Sequence, residues 1–168
     1  LNNISGISGI LTGQESRIRF STGFGGPALR DGEFVWIDYA FLTDVWANAP
    51  PSEGNATLAV ATIIGGALMN ELSHNSVQDS PEAEFLEEVQ AIRNEAVYYK
   101  SIFDTLPVED LIDLKQSIRF VLQKLYLQDN IVVDEFLNWV DVIANPNDDI
   151  LARVFVVDFY LEHAEAVL

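Results

Sequence analysis

The sequence predicts a mainly α-helical single domain, an up-and-down array of about five to six helices carrying a Gly-rich N-terminal arm that is irregular or forms a short strand. Three observations lead there. Phe85, Val89, Ile92, Ala96, Tyr99, Phe103 and Leu106 recur at the spacing that keeps one face of a helix apolar. Further apolar stripes lie on either side of this stretch, and breaks of only a few residues between them imply antiparallel neighbours. Seven of the ten glycines fall in residues 1–32, a density that opposes helix. The expected division is an arm over residues 1–30 and an acidic helical domain over 31–168.

In chain order, the arm carries the runs Ser5-Gly6-Ile7-Ser8-Gly9-Ile10 and Thr22-Gly23-Phe24-Gly25-Gly26-Pro27, with the alternating Arg17-Ile18-Arg19-Phe20 between them as a short strand or extended arm. No basic start followed by an apolar run occurs in this stretch, so no signal peptide is expected in it. The glycines invite a phosphate-loop reading that fails: no Gly-Lys-Ser/Thr follows, and Pro27 lacks one of the N–H groups that would cradle a phosphate. Asp31–Ala47 is read as a helix capped by Asp31, with Phe34, Ile37, Phe41 and Val45 on one face, although Glu33–Tyr39 would also serve as a buried strand. Pro50-Pro51 closes it.

Ala56–Met69 is the most apolar run, uncharged throughout. About fourteen such residues span roughly 21 Å, short of the ~30 Å hydrocarbon core, so it reads as a buried central helix. Gly65-Gly66 inside it costs roughly 1 kcal/mol per glycine relative to Ala, a loss that makes sense if another helix approaches closely there. Residues 71–79 read as a polar link. The organising helix then starts at Ser80, whose hydroxyl caps the first turn, with Pro81 at the first helical position and Glu82 and Glu84 at the positive end of the dipole. Its face outside the seam carries Glu84, Glu87, Glu88 and Glu95, read as an exposed acidic wall. Leu106-Pro107 breaks direction, and the stripe Leu111, Leu114, Ile118, Val121, Leu122 and Leu125 forms the next helix. Val132–Ile143 is a short helix ended by Asn145-Pro146. The last runs from Asp148 to about Ala166, read as helix because Asn147 or Asp148 caps it, although Val154, Val156 and Val157 would suit a strand.

The net charge is −17, laid out as +2 over residues 1–30, −11 over 31–92, where no Lys or Arg occurs, and −8 over 93–168. Such a surface repels nucleic acid and anionic membranes and suits a protein partner with a basic surface, or simply keeps the chain in solution. Zero cysteines exclude disulfides, thiolate metal sites and a cysteine nucleophile, and fit a reducing cytoplasm, the expected location.

Only two histidines, His74 and His163, limit base and metal chemistry. Glu71-Leu72-Ser73-His74 has the Glu-x-x-His spacing that places carboxylate and imidazole on one helical face, and in this single motif it resembles the ferritin-like di-iron bundles. The second copy that such a site needs is absent, since Tyr160 stands three before His163, although Asp158 and Glu162 are near. Position 70 is Asn, so no zincin motif is formed. Asp38 and Asp158 lie in apolar runs, where a carboxylate must be paired or protonated, unless Asp38 simply faces outward and Asp158 continues an acidic stripe to Glu162 and Glu165. Asn145–Asp149 has the composition of a calcium loop without its Asp-x-Asp-x-Asp-Gly pattern.

The functional expectation is an acidic protein-interaction or regulatory module without catalysis and without a cofactor. Glu84, Glu87, Glu88 and Glu95 are its partner-binding residues. One alternative is a metal-binding helix-bundle enzyme using Glu71, His74, Asp158, Glu162 and His163; another is an acidic DNA mimic that blocks a nucleic-acid-binding protein. The heptad-like seam over residues 85–106 adds an expectation of self-association as a homodimer, unless the Leu111–Leu125 stripe covers it within the chain.

Overall fold

The computed structural model describes residues 17–23, 28–48, 56–74, 80–126, 130–147 and 149–164. They form strands β1 (Ile18–Ser21), β2 (Ala28–Asp31) and β3 (Phe34–Asp38), followed by helices α1 (Tyr39–Asn48), α2 (Ala56–Ser73), α3 (Pro81–Phe103), α4 (Val108–Tyr126), α5 (Asn130–Ile143) and α6 (Asp149–Ala164). The chain is thus a helical array with a short-strand region at its start. Residues 5–10 and 24–27 of the glycine-rich runs lie outside the described residues.

The stretch expected to be one helix from Asp31 is divided between β3 and α1. β3 is the centre of a three-stranded sheet, parallel to β1 with Ile18 opposite Val35 and antiparallel to β2 with Ala28 opposite Ile37. Gly32, at φ +60°, supplies the positive φ that the two-residue β2–β3 loop requires. The cap of α1 is Asp38 rather than Asp31. Its Oδ1 accepts the N–H groups of Ala40 at 2.8 Å and Phe41 at 3.1 Å, while Oδ2 accepts that of Gly23 at 3.1 Å. Asp38 is therefore buried, not outward-facing, because it satisfies backbone donors of the first turn of α1 and of Gly23, just past the end of β1. Asp38→Ala is expected to lower stability by about 2 kcal/mol, the upper end for a lost cap, while Asp38→Asn, which keeps an acceptor, loses less; thermal melts of the two variants check this.

α2 runs past Met69 to Ser73, so residues 71–73 of the stretch read as a link belong to its last turn, while residues 75–79 lie outside the described residues. Between α2 and α3 the tyrosine rings of α3 fill the space that the two glycines leave. A Cβ at Gly65 would overlap the Tyr98 hydroxyl and ring, and one at Gly66 would overlap the Tyr99 ring, the close approach that the glycine pair implied. α3 begins as read: Ser80 is extended, its Oγ accepts the Ala83 N–H at 3.2 Å, Pro81 opens the helix and Lys100 lies in the last turn.

The contacting pairs α2–α3, α3–α5, α5–α4 and α4–α2 close a four-helix ring; α6 packs on α3 and α5, and the sheet and α1 pack on α2. Tyr99 meets Phe103 and Phe136 edge-on at 5.9 and 5.2 Å between centroids, and Phe136 meets Phe155 at 5.8 Å, joining α3, α5 and α6. The seam of α3 is thus filled by α2, α5 and α6. The stripe of α4, buried at Leu114, Ile118 and Val121, faces chiefly α2 and α5. α6 is helical through Val154–Val157. Among the described residues no helix is long and apolar enough to cross a membrane.

Candidate functional site

The polar groups at the α2–α3 contact converge from residues one turn apart. At the end of α2, Asn70, Glu71, Ser73 and His74 face α3; on α3, Glu87, Glu88, Gln90, Asn94 and Glu95 answer them. Antiparallel packing pairs the C-terminal turn of α2 with the first half of α3. Asn94 Nδ2 donates to Ser73 Oγ at 2.7 Å, Gln90 Nε2 donates to Asn94 Oδ1 at 2.9 Å, and Asn70 Nδ2 donates to Glu95 Oε2 at 3.3 Å. β2 closes the side of the cluster, where the backbone N–H of Arg30 donates to Glu71 Oε2 at 2.9 Å.

His74 sits between two carboxylates, with Nδ1 3.7 Å from Glu87 Oε2 and Nε2 3.7 Å from Glu88 Oε2, the latter nitrogen also 3.3 Å from Asn70 Oδ1. The two ring nitrogens point in opposite directions, so Glu87 and Glu88 bracket the imidazole rather than converge on one point. Among the described residues no three His, Asp or Glu side chains are placed to hold a metal ion. Asp158, Glu162 and His163 belong to α6, but their side chains lie outside those described, so this part of the carboxylate–histidine set is not brought to Glu71 and His74 on any described contact.

The acidic wall is corrected in three of its four members. Glu84 is exposed as expected, but Glu87 and Glu88 turn toward His74 and are largely covered. The Glu95 carboxyl is enclosed between α3 and α2, where loss of hydration raises its pKa from 4.5 to about 7, Asn70 lowers it and the nearby Glu71 raises it further. Glu71 is raised too, again mainly by burial, against the lowering influence of His74 and of the Arg30 N–H. At neutral pH the Glu95 carboxyl is close to half-protonation, so the contact does not carry it as a full buried charge.

Known protein families, characterised proteins and solved structures give no match to this chain.

Residues the sequence reading passed over complete the picture. Asn70, four residues before His74, and Asn94 organise the cluster. On the surface, Val108, Ile112 and Ile150 project apolar side chains into solvent at 73%, 52% and 74% exposure. Their signal was available as apolar residues off the buried stripes of α4 and α6.

Proposed function

We propose that this chain is an acidic, non-catalytic protein-interaction or regulatory module that binds a partner with a basic surface. The observation that supports it is how the charges are divided between the inside and the outside of the fold. Six of the nine bases make described contacts within the chain. Arg17 donates to the Glu33 carbonyl, Arg19 lies over the Phe34 ring, Arg30 donates to the Gly32 carbonyl, Lys115 donates to the Leu137 carbonyl, and Arg119 pairs with Asp134. Lys100 bridges Asp104 and Asp141 at 2.9 and 2.8 Å. The acids Glu82, Glu84, Glu109, Asp110, Asp113 and Glu135 stand exposed, so the field that leaves the molecule is negative and steers basic surfaces toward it. Of the glutamates first read as partner-binding, Glu84 keeps that role, beside Glu82 at the start of α3.

The test is retention of basic proteins from an extract of the source cells at low salt, then calorimetry with the purified partner. The expected result is defined stoichiometry and an affinity that falls as salt rises. Retention of no basic protein, or stoichiometric iron, manganese or zinc in protein purified without chelator, overturns it, the latter in favour of the carboxylate–histidine enzyme. Competition between the chain and DNA for the retained partner narrows the reading to the DNA mimic.

A further inference from the structure

β3 lies at the centre of the sheet, and alternation along it separates two faces. Val35 and Ile37 are buried on the face that packs on α2, so Phe34 and Trp36 point the other way. The register extends that outer face to both neighbours: Arg19 on β1 and Leu29 on β2 stand directly opposite Trp36, and Asp31 on β2 stands opposite Phe34. Contacts across the face tie these side chains together. The Phe34 and Trp36 rings meet edge-on at 6.5 Å between centroids, and the Arg19 guanidinium lies 4.6 Å from the Phe34 centroid. Leu29 is 46% exposed, Arg19 and Asp31 are exposed and the two rings are partly so, which leaves an apolar centre between a base on one edge and an acid on the other. Arg17, whose Nε donates to the Glu33 carbonyl at 2.7 Å, adds a second base, and Glu33 adds a second acid. The face is thus locally neutral on a chain of −17.

We propose that the outer face of the sheet is the contact between two copies of this chain, stacked face to face about a twofold axis parallel to the strands. The charges choose both the occupant and the axis. A purely basic partner would meet Arg17 and Arg19 and a purely acidic one Asp31 and Glu33, whereas a copy of the same face meets each charge with its opposite. An axis along the strands lays β2 of one copy over β1 of the other. Each Arg19 guanidinium, already drawn over Phe34, then meets the other copy's Asp31, twice by symmetry. An axis across the strands would instead lay Arg19 over Arg19. Stacked sheets lie about 10 Å apart, close enough for the Phe34, Trp36 and Leu29 side chains of the two copies to interdigitate. Repulsion between the remaining acids acts at longer range, and physiological salt screens it beyond about 8 Å. The inference does not rest on the partner reading above.

Sedimentation equilibrium of the whole chain at physiological salt, from about 5 µM to about 1 mM, tests it. Three short strands offer less than the roughly 800 Å² per partner of a stable dimer, so a weak monomer–dimer equilibrium is expected, with a Kd on the order of 10–100 µM. R19E and D31K should each raise that Kd at least about tenfold, because each sets like charges against one another twice. L29S, which removes an apolar anchor, should raise it at least about threefold. All three side chains are exposed, so each variant should melt like the parent. The deciding measurement mixes R19E and D31K in equal amounts. In the mixed dimer one contact pairs the two reversed charges and the other keeps the native pair, so association should return to within about threefold of the parent. A parent that stays monomeric over the whole range, a dimer indifferent to R19E, D31K or L29S, or a mixture that stays monomeric overturns the proposal. Binding of a fluorescent oligouridine of about ten nucleotides by the monomer, lost in R19E, overturns the occupant in favour of bases stacked on Phe34 and Trp36.

Discussion

Gly65→Ala is expected to lower stability by about 3 kcal/mol, although the same change at an open helical position would raise it by about 1 kcal/mol. The new methyl has nowhere to go. It would overlap the hydroxyl, the ring carbon bearing it and an adjoining ring carbon of Tyr98. Tyr98 is itself almost fully buried, with its hydroxyl 3.4 Å from the Ala61 carbonyl, so relief requires moving a rigid ring or separating α2 from α3. Adding Gly66→Ala presses on Tyr99, which the edges of Phe103 and Phe136 hold in place, and the double variant is expected to lose about 5 kcal/mol, a large share of what a domain of this size has. Each kcal/mol corresponds to about 2–4 °C in Tm for a chain of this length. Thr57→Ala, exposed on the same helix, is the control and should leave Tm unchanged or raise it. Truncating Tyr98 to Ala should cost less in the Gly65→Ala background than in the parent, because the two side chains compete for one volume. A Tm for Gly65→Ala at or above that of the parent would show that the helices have room to separate.

That contact was legible in the sequence because glycine in a helix interior is locally unfavourable and needs a tertiary reason. The start of α3 was legible for the same kind of reason: Ser80, Pro81, Glu82 and Glu84 each answer a local demand of a helix N-terminus. Residues 34–38 were not. Phe34, Ile37 and Phe41 satisfy helical spacing, and the strand wins only through pairing with residues 18–21 and 28–31, which no local rule reports. Once β3 is a strand, Asp38 becomes the first residue able to cap α1. The partners of α4 were equally hidden, since an apolar stripe says that a face is covered and not by what.

The cluster at α2–α3 shows the limit most clearly. The seam drawn through Phe85, Val89, Ile92, Ala96 and Tyr99 is one stripe, but a helix with α2, α5 and α6 around it buries more than one. The adjacent row, Glu88, Ala91, Glu95 and Tyr98, also steps by three and four, and its Ala91 and Tyr98 are buried. Two glutamates in that row read as solvent-facing until the neighbours on both sides are known. Glu71-x-x-His74 was read into a polar link, whereas Glu71 lies in the last turn of α2 and His74 just past its end, and the meeting of His74 with Glu87 and Glu88 depends on the antiparallel packing of α2 on α3.

Glu95→Gln is expected to stabilise the protein at pH 8 by roughly 3 kcal/mol and to remove most of the stability gained on acidification between pH 7 and pH 4.5. The sign comes from the direction of the shift. The folded-state pKa of Glu95 is raised to about 7 from 4.5, chiefly by loss of hydration. Within that window the folded chain holds a proton that the unfolded chain has released, so stability falls as pH rises and is flat in this group above about pH 7. Glu71, shifted upward by the same cause, adds in the same direction. Gln keeps an acceptor for the Asn70 amide and carries no charge to desolvate, so it reproduces the protonated state at every pH. Chemical denaturation of parent and variant from pH 4.5 to 8 measures the difference, which isolates this carboxyl from every other group that titrates in the window, including those of the exposed acidic surface. Curves that stay parallel across the range would mean that the Glu95 carboxyl ionises freely in the folded protein and that α2 and α3 are hydrated where they meet.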